Sequence, residues 1–414
     1  MIGSVGLGAA TAGAGLLWAP PVLADGAIAQ RSAGHNAYFS QLNAMLKQSG
    51  PGHPAMLVDL SRINHNVDQI VSSVGKNKTY RVVVKSLPSI PLLKHVMQRA
   101  NTQALMVFHQ PFLNAVADAF PSSDVLIGKP LPVNAVREFY RKLGTSKFNP
   151  ATQIQWLVDS QARLLQYQAL ARELGISMGV SFEIDVGLHR GGFAKPAEID
   201  AALAVVAADP GHLQVRGLMG YEPQLTGMQA DLSHPAVREV LAVYEGFKSR
   251  LTAAGIAHEG LTFNGAGSHT LKIYEQDDTM NDLSAGSGVV MPTDFDTFHL
   301  VGNEPAAFIA TPILKRYDEN PYMPDAPENM QRLFYIYGGY WKAKMVSPEE
   351  VGDTIYESTN QSPIATATSV DLAVDDYMFL RPTQSEFVML QFGDLLVVDG
   401  GKITDRWPVF HQTG

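Results

Sequence analysis

The chain of 414 residues contains no cysteine. That excludes disulfides, thiolate zinc sites and cysteine nucleophiles together, so any nucleophile or metal ligand must be another residue type. Charge is also scarce. Charged residues make up 17% of the chain, the formal net charge is -9, and no run of Lys or Arg stands out. The electrostatic footprint of a nucleic-acid binder is therefore missing, and no nucleic-acid partner is expected. Histidines are scattered: His53, His109, His189, His269 and His299 show no His-x-x-x-His or similar ligand spacing, and each reads first as a surface or hydrogen-bonded side chain.

What is present is ordinary globular material. With 46% hydrophobic residues over this length, the chain can bury a large core, as two domains or as one barrel plus an addition. Residues 1–24 carry no charge, are rich in Gly, Ala, Leu and Val, and end in Pro-Pro-Val-Leu-Ala, where Val22-Leu23-Ala24 resembles a signal-peptidase site. The first basic residue is Arg31, so the usual basic stretch before the apolar segment is missing. A Gly-rich, weakly hydrophobic segment suits export of a folded protein by the twin-arginine route. Residues 1–30 are thus expected to be an export segment and the protein periplasmic; an uncleaved anchor or a tail on a cytoplasmic protein is the alternative.

From residue 55 onward, short β-branched runs alternate with longer helical patterns, as a parallel α/β fold requires. Strands are expected at 55–60, 80–84, 104–108, 125–127, 155–159, 178–185, 213–219 and 261–264, with 285–290 opening the next segment. Eight strands separated by amphipathic helices imply a TIM-type (β/α)8 barrel, which places chemistry at the C-terminal strand ends. After residue 291 the pattern changes to Pro-rich turns and shorter strands at 308–316, 332–337, 386–392 and 395–398, an antiparallel β-domain. Asp399-Gly400-Gly401 is a hairpin-turn signal within it. The expected division is a barrel over 31–295 and a β-domain over 296–414.

Lys85 ends the run Tyr80-Arg81-Val82-Val83-Val84, so its amine is expected at the barrel mouth. Desolvation there would make it a nucleophile toward a carbonyl. A rim lysine in a salt bridge is the competing reading. Phe263-Asn264-Gly265-Ala266-Gly267-Ser268-His269-Thr270 follows a strand, and its glycines let backbone N–H groups approach a phosphate. Tyr340 and Trp341 could line a substrate mouth or fill a β-domain core.

Taken together, several segments resemble the fold-type III pyridoxal-phosphate (PLP) enzymes of the D-threonine aldolase and D-serine dehydratase type, over roughly residues 54–410. They are Pro54-Ala55-Met56-Leu57-Val58-Asp59-Leu60, the Lys85 strand, Val158-Asp159-Ser160, Glu183-Ile184-Asp185-Val186-Gly187-Leu188-His189-Arg190-Gly191-Gly192 and Gly217-Leu218-Met219-Gly220-Tyr221-Glu222. The resemblance implies that Lys85 carries PLP, that Arg190 lies beside the cofactor ring and keeps its nitrogen unprotonated, and that Tyr221 orients the substrate or moves a proton. It also implies that Gly265, Gly267, Ser268, Ser287 and Gly288 hold the phosphate. His189 and His269 lie inside these matched segments. From spacing alone, Arg190 paired with Glu183 or Asp185, and Tyr221 as a packing residue, are equally open.

Two departures bear on the reaction. Where the resembling enzymes carry a metal-binding His-x-Cys or His-x-Asp, this chain has Gln384 and Glu386. These are oxygen ligands that suit Mg, Mn or Ca rather than zinc, or leave Glu386 as a metal-free general base. Ser86-Leu87 also replaces the Thr-His that usually follows the lysine. The implied activity is a lyase on small D-amino acids, with D-3-hydroxy amino acids first, acting by retro-aldol cleavage or by dehydration and deamination. An amino-acid racemase of the same fold and a PLP-binding protein without turnover are the alternatives, and a homodimer is implied by the same resemblance.

Overall fold

The structure, a computed structural model, describes residues 34–144, 147–349 and 351–412. The apolar segment 1–24 and the expected export signal lie outside those residues. Among the described residues no helix is long and apolar enough to cross a membrane.

Eight parallel strands close into the expected barrel: β2 (Thr79–Val83), β3 (Ala104–Val107), β4 (Asp124–Ile127), β5 (Ile154–Val158), β6 (Met178–Glu183), β7 (Leu213–Met219), β8 (Thr262–Gly265) and β9 (Asp282–Ala285). Every residue of β3, β5, β6 and β9 is buried. Helices cover the outside while side chains fill the inside, so these strands lack the alternation of a half-exposed sheet. Helix starts are set locally: Asp59 accepts from the Arg62 N–H at 3.2 Å to open the helix Leu60–Val74, and Ser160 does the same for Gln161–Leu174.

The expectation for residues 55–60 is corrected. That run forms β1 (Ala55–Asp59), which is not in the barrel. It pairs antiparallel with β10 (Ala307–Tyr317) and parallel with β16 (Asp394–Asp399) in a second sheet. The eighth barrel strand is instead β9, and residues 287–289 beyond it turn into a 3-10 helix. The reason lies in packing. Met56 and Val58 face the main core, whereas Ala55 and Leu57 face a second cluster with Phe39, Leu42 and Leu46 of the helix Ala37–Ser49. A strand buried on both faces reads as a continuous apolar run, whichever sheet it joins.

The second sheet also contains β11 (Arg332–Tyr337), β12 (Ala343–Ser347), β13 (Val351–Thr354), β14 (Gln361–Thr366), β15 (Tyr377–Pro382) and β17 (Lys402–Pro408). Its main path runs β13-β14-β11-β10-β1-β16-β17, with β15 pairing β10 and β12. Gly400 and Gly401, both at positive φ (55° and 73°), close the β16–β17 hairpin where Asp399 faces Lys402, as the turn signal predicts. Residues 386–392, expected as a strand, instead hold the short helix Glu386–Leu390. It buries Val388 and Met389 and leaves Phe387 at 73% exposure, the one-sided burial of a helix rather than the alternation of a strand.

Candidate active site

At the C-terminal mouth of the barrel lies a cavity of about 590 Å3, its opening included, lined among others by Lys85, Ser86, Phe108, Arg190, Tyr221 and Glu386. Lys85 follows β2, and its Nζ lies 2.7 Å from Glu386 Oε1 and 4.9 Å from the centre of the Phe108 ring. The chain beyond the barrel thus contributes a carboxylate to a site otherwise built by the barrel, because the helix Glu386–Leu390 starts at the cavity wall.

Behind this pair runs a buried chain of hydroxyls. Ser385 Oγ lies 3.2 Å from Ser287 Oγ, which donates to Ser86 Oγ at 3.0 Å, and Ser86 Oγ in turn points to Glu386 Oε1 at 3.4 Å. Each hydroxyl has one proton to give, so an ordered chain ending on the carboxylate satisfies every member in turn.

Tyr221 follows β7. Burial, with Glu222 nearby, pushes its phenol above the ordinary tyrosine value despite the opposing pull of Arg190, so it faces the cavity as an O–H donor at neutral pH. The Arg190 guanidinium stands 5.2 Å over the Tyr221 ring, and its Nη2 is 3.9 Å from Glu183 Oε1. Burial raises the Glu183 carboxyl, and Arg190 works against that rise. Of the two acids that could have claimed Arg190, Asp185 is occupied elsewhere: it accepts from the N–H groups of Gly187 and His189 and from His189 Nδ1 at 2.8 Å. His269 stacks on Phe295 at 4.2 Å, and burial lowers its imidazole below the ordinary histidine value, leaving it neutral at pH 7.

The glycine-rich turn after β8 and the turn after β9 meet on one side. Ser268 Oγ accepts from the N–H groups of Gly286 (3.2 Å) and Gly288 (3.0 Å), joining them. Space is tight: a Cβ at Gly267 would lie 2.9 Å from the Tyr221 ring, and one at Gly286 would lie 2.8 Å from Ser86 Cβ. Gly267, Ser268 and Ser287 line the cavity; Gly265 is packed against Met280 instead, and Gly288 reaches the site through Ser268.

Gln384 is not brought to the site. Its exposed side-chain amide donates to Asp294 Oδ2 at 2.8 Å, while Glu386 is engaged with Lys85. Among the described residues no group of three or more His, Cys, Asp or Glu side chains is gathered as a metal centre requires. The donor set at 384 and 386 therefore does not fit a resident metal ion, since one ligand faces outward and the other is neutralised by an ammonium.

Ser160 is used as a helix cap rather than in the cavity. Trp341 packs near Phe392 at 5.8 Å, and Tyr340 is 61% exposed. Sequence reasoning missed Phe108, Phe295 and Ser385; Phe108 stands just beyond β3 and Ser385 between two flagged residues, whereas Phe295 carries no sequence signal.

A closed parallel barrel with a lysine, a tyrosine and two Gly/Ser turns around its mouth is the architecture of a small-molecule enzyme site. Residues 58–293 match the model of the family "Alanine racemase, N-terminal domain", and the chain belongs to that family. The resemblance to fold-type III PLP enzymes read from the sequence therefore holds at the level of the family. The chain is similar to the 3-hydroxy-D-aspartate aldolase of Paracoccus denitrificans (strain Pd 1222), 26% identical over 195 residues, which are 44% of this chain and 49% of that protein. The match thus spans about half of that curated relative.

Among solved structures, the fold is similar to D-threonine aldolase from Filomicrobium marinum, with a TM-score of 0.71, 17% identity, and coverage of 87% of this chain and 98% of that one. D-threo-3-hydroxyaspartate dehydratase from Delftia sp. HT23 gives a TM-score of 0.69 and 14% identity, with coverage of 89% and 99%. At these identities the likeness is one of fold.

Proposed function

We propose that this protein is a PLP-dependent lyase acting on small D-amino acids, with D-3-hydroxy amino acids as the first substrate class. The observation that carries the reading is the placement of Lys85 Nζ between Glu386 and Phe108, in a cavity that two Gly/Ser turns also line. PLP fits that arrangement: Lys85 would hold it through the amine, Ser268, Ser287 and the backbone around Gly267 and Gly288 would receive its phosphate, and Arg190 would stand beside its ring. When bound, PLP supplies an aldehyde that joins amines and a ring that draws electron density from the amino-acid Cα.

The chain's own groups divide the remaining work. Glu386 is the carboxylate within reach of a proton on Lys85 Nζ, and the same oxygen can take a proton from a substrate hydroxyl placed beside that amine. Tyr221, kept protonated by burial, donates through its O–H to orient the bound substrate. Arg190 has donors only, so it favours an unprotonated nitrogen facing it, which restrains the electron demand at Cα. Met106, Phe108, Met219 and Phe295 line the same cavity, excluding water and leaving room for a short side chain. The aldolase and dehydratase named among the similar proteins support lyase chemistry, and the proposal carries no metal-assisted step. Export to the periplasm, resting on the composition of residues 1–24, and assembly as a homodimer, resting on the family resemblance, complete the proposal.

The test is the visible spectrum of wild type and Lys85→Ala after incubation with PLP, before and after a panel of D- and L-amino acids. Wild type should show a bound-cofactor band that the variant lacks and that only D-3-hydroxy amino acids change with release of product. A wild type with no such band in the presence of PLP refutes the reading.

A further inference from the structure

Glu222 is a buried acid that the proposed chemistry does not use. It follows Tyr221 beyond β7, and both side chains meet the turn after β8, Tyr221 at Gly267 and Glu222 at Thr270. Tyr221 lines the cavity and lies close enough to Gly267 that a Cβ there would be 2.9 Å from its ring. Glu222 is 0% exposed. Among the described residues no cation pairs with it, and its Oε2 has no hydrogen-bond partner. A buried carboxyl without a cation is costly, and burial raises its proton affinity above the ordinary glutamate value against the hydrogen bonds it accepts.

What it does hold is the turn. Thr270 Oγ1 donates to Glu222 Oε1 at 2.7 Å and accepts from the Gly267 N–H at 3.0 Å, so one hydroxyl links the carboxyl to the turn's backbone. The Ala266 N–H faces the same carboxyl. Ala266 adopts φ 66°, a left-handed conformation that a residue with a Cβ occupies only when its surroundings impose it. The Thr270 and Leu271 N–H groups both return to the Gly267 carbonyl, at 3.0 and 2.9 Å. The turn is thus tied from below at Ala266 and Gly267, and Ser268, which gathers the Gly286 and Gly288 N–H groups, is held at the cavity.

We infer that Glu222, acting through Thr270, is a positioning residue for phosphate recognition: it fixes the strained turn at residues 265–270 so that Ser268 and its neighbours present a phosphate seat to the cavity. This rests on the PLP reading of the site. Because the effect passes through the phosphate turn alone, it should discriminate PLP from pyridoxal, which reaches the same lysine without a phosphate.

The experiment is a titration of wild type, Thr270→Val, Glu222→Leu and Glu222→Gln with PLP and, separately, with pyridoxal, followed by the visible band, with melting of the unloaded proteins in parallel. Thr270→Val conserves volume and removes the link; Glu222→Gln conserves an acceptor for Thr270 and a neutral group. Thr270→Val and Glu222→Leu should raise the Kd for PLP by about tenfold, the loss expected for one buried hydrogen bond, and leave pyridoxal within about twofold. Glu222→Gln should stay close to wild type. If Glu222→Leu does not fold, Thr270→Val alone decides. A Thr270→Val protein that binds PLP like wild type, or that loses PLP and pyridoxal equally, overturns the inference and leaves the cofactor reading standing. A wild type that takes up neither compound overturns both.

Discussion

Replacing Arg81 with methionine should be among the most damaging single changes in the barrel, although Arg81 touches no part of the proposed chemistry. The side chain is fully buried inside β2. Its Nε and Nη2 form a two-pronged pair with Asp282 at 2.9 and 2.8 Å, and its Nη1 reaches the Leu105 carbonyl at 3.1 Å, the Asp124 carbonyl at 3.1 Å and Asp124 Oδ1 at 3.3 Å. Burial works against the guanidinium charge, but Asp282 and Asp124 outweigh it and hold the group cationic. Asp282 is itself 3% exposed and, without Arg81, would keep Asn264 Nδ2 at 2.5 Å as its side-chain donor among the described residues.

Breaking such a pair from one side leaves a buried charge unpaired, at a cost of about 3–5 kcal/mol. The pair itself is worth far less, because its attraction mostly offsets its own desolvation. Arg81→Met/Asp282→Leu should therefore recover most of the loss, to within about 1–2 kcal/mol of wild type, the remainder reflecting the hydrogen bond that Asn264 Nδ2 loses to the Asp282 carboxylate while keeping Ser284 Oγ. Urea unfolding of the wild type, both single variants and the double variant gives the coupling directly. A cost below about 1 kcal/mol for Arg81→Met, or a double variant no more stable than the single, would refute the reasoning.

Glu386→Gln keeps the shape of the side chain and removes its ability to take a proton. PLP uptake should change little while turnover falls by about 10²- to 10⁴-fold, the usual weight of a general base; unchanged turnover on any substrate that the wild type accepts would remove Glu386 from the chemistry. Acid should loosen the contact between the helix Ala37–Ser49 and the second sheet. Burial alone would raise the Asp376 carboxyl, but Lys47 Nζ at 2.6 Å, the Ala373 N–H and Asn43 hold it below the ordinary aspartate value of 3.8. A depressed value in the folded state means that the stabilisation is present above pH 3.8 and is lost as pH falls below it. Hydrogen exchange of residues 37–49 should rise in that window in wild type, whereas Asp376→Asn should show faster exchange already at neutral pH, by about 1 kcal/mol, and no acid step.

The barrel was legible from the sequence because strands buried on all sides repeat at regular spacing between amphipathic helices. Its membership was less so. Periodicity reports how deeply a strand is buried and not which neighbour it pairs with, so Ala55–Asp59 entered the barrel on paper and leaves it in the structure. Residues 386–392 failed for the opposite reason: a five-residue helix is too short to display its period, and Phe387 at 73% exposure breaks the apolar pattern from which a strand was expected.

The candidate site followed the same division. Lys85, Tyr221 and Ser268 are each visible as polar residues just past a strand end, and the barrel topology alone brings them to one mouth. Gln384 and Glu386 looked alike as substituted ligand positions two residues apart, yet the start of a helix turns one outward to Asp294 and the other inward to Lys85. Glu222 carried no sequence signal beyond standing next to Tyr221, because a buried acid and an exposed one are the same letter. What separates them is the company the fold supplies, here a threonine hydroxyl at 2.7 Å and a strained alanine at φ 66°. A site of this kind is therefore read from the sequence down to its reactive groups, and from the packing beneath it down to the residues that hold those groups in place.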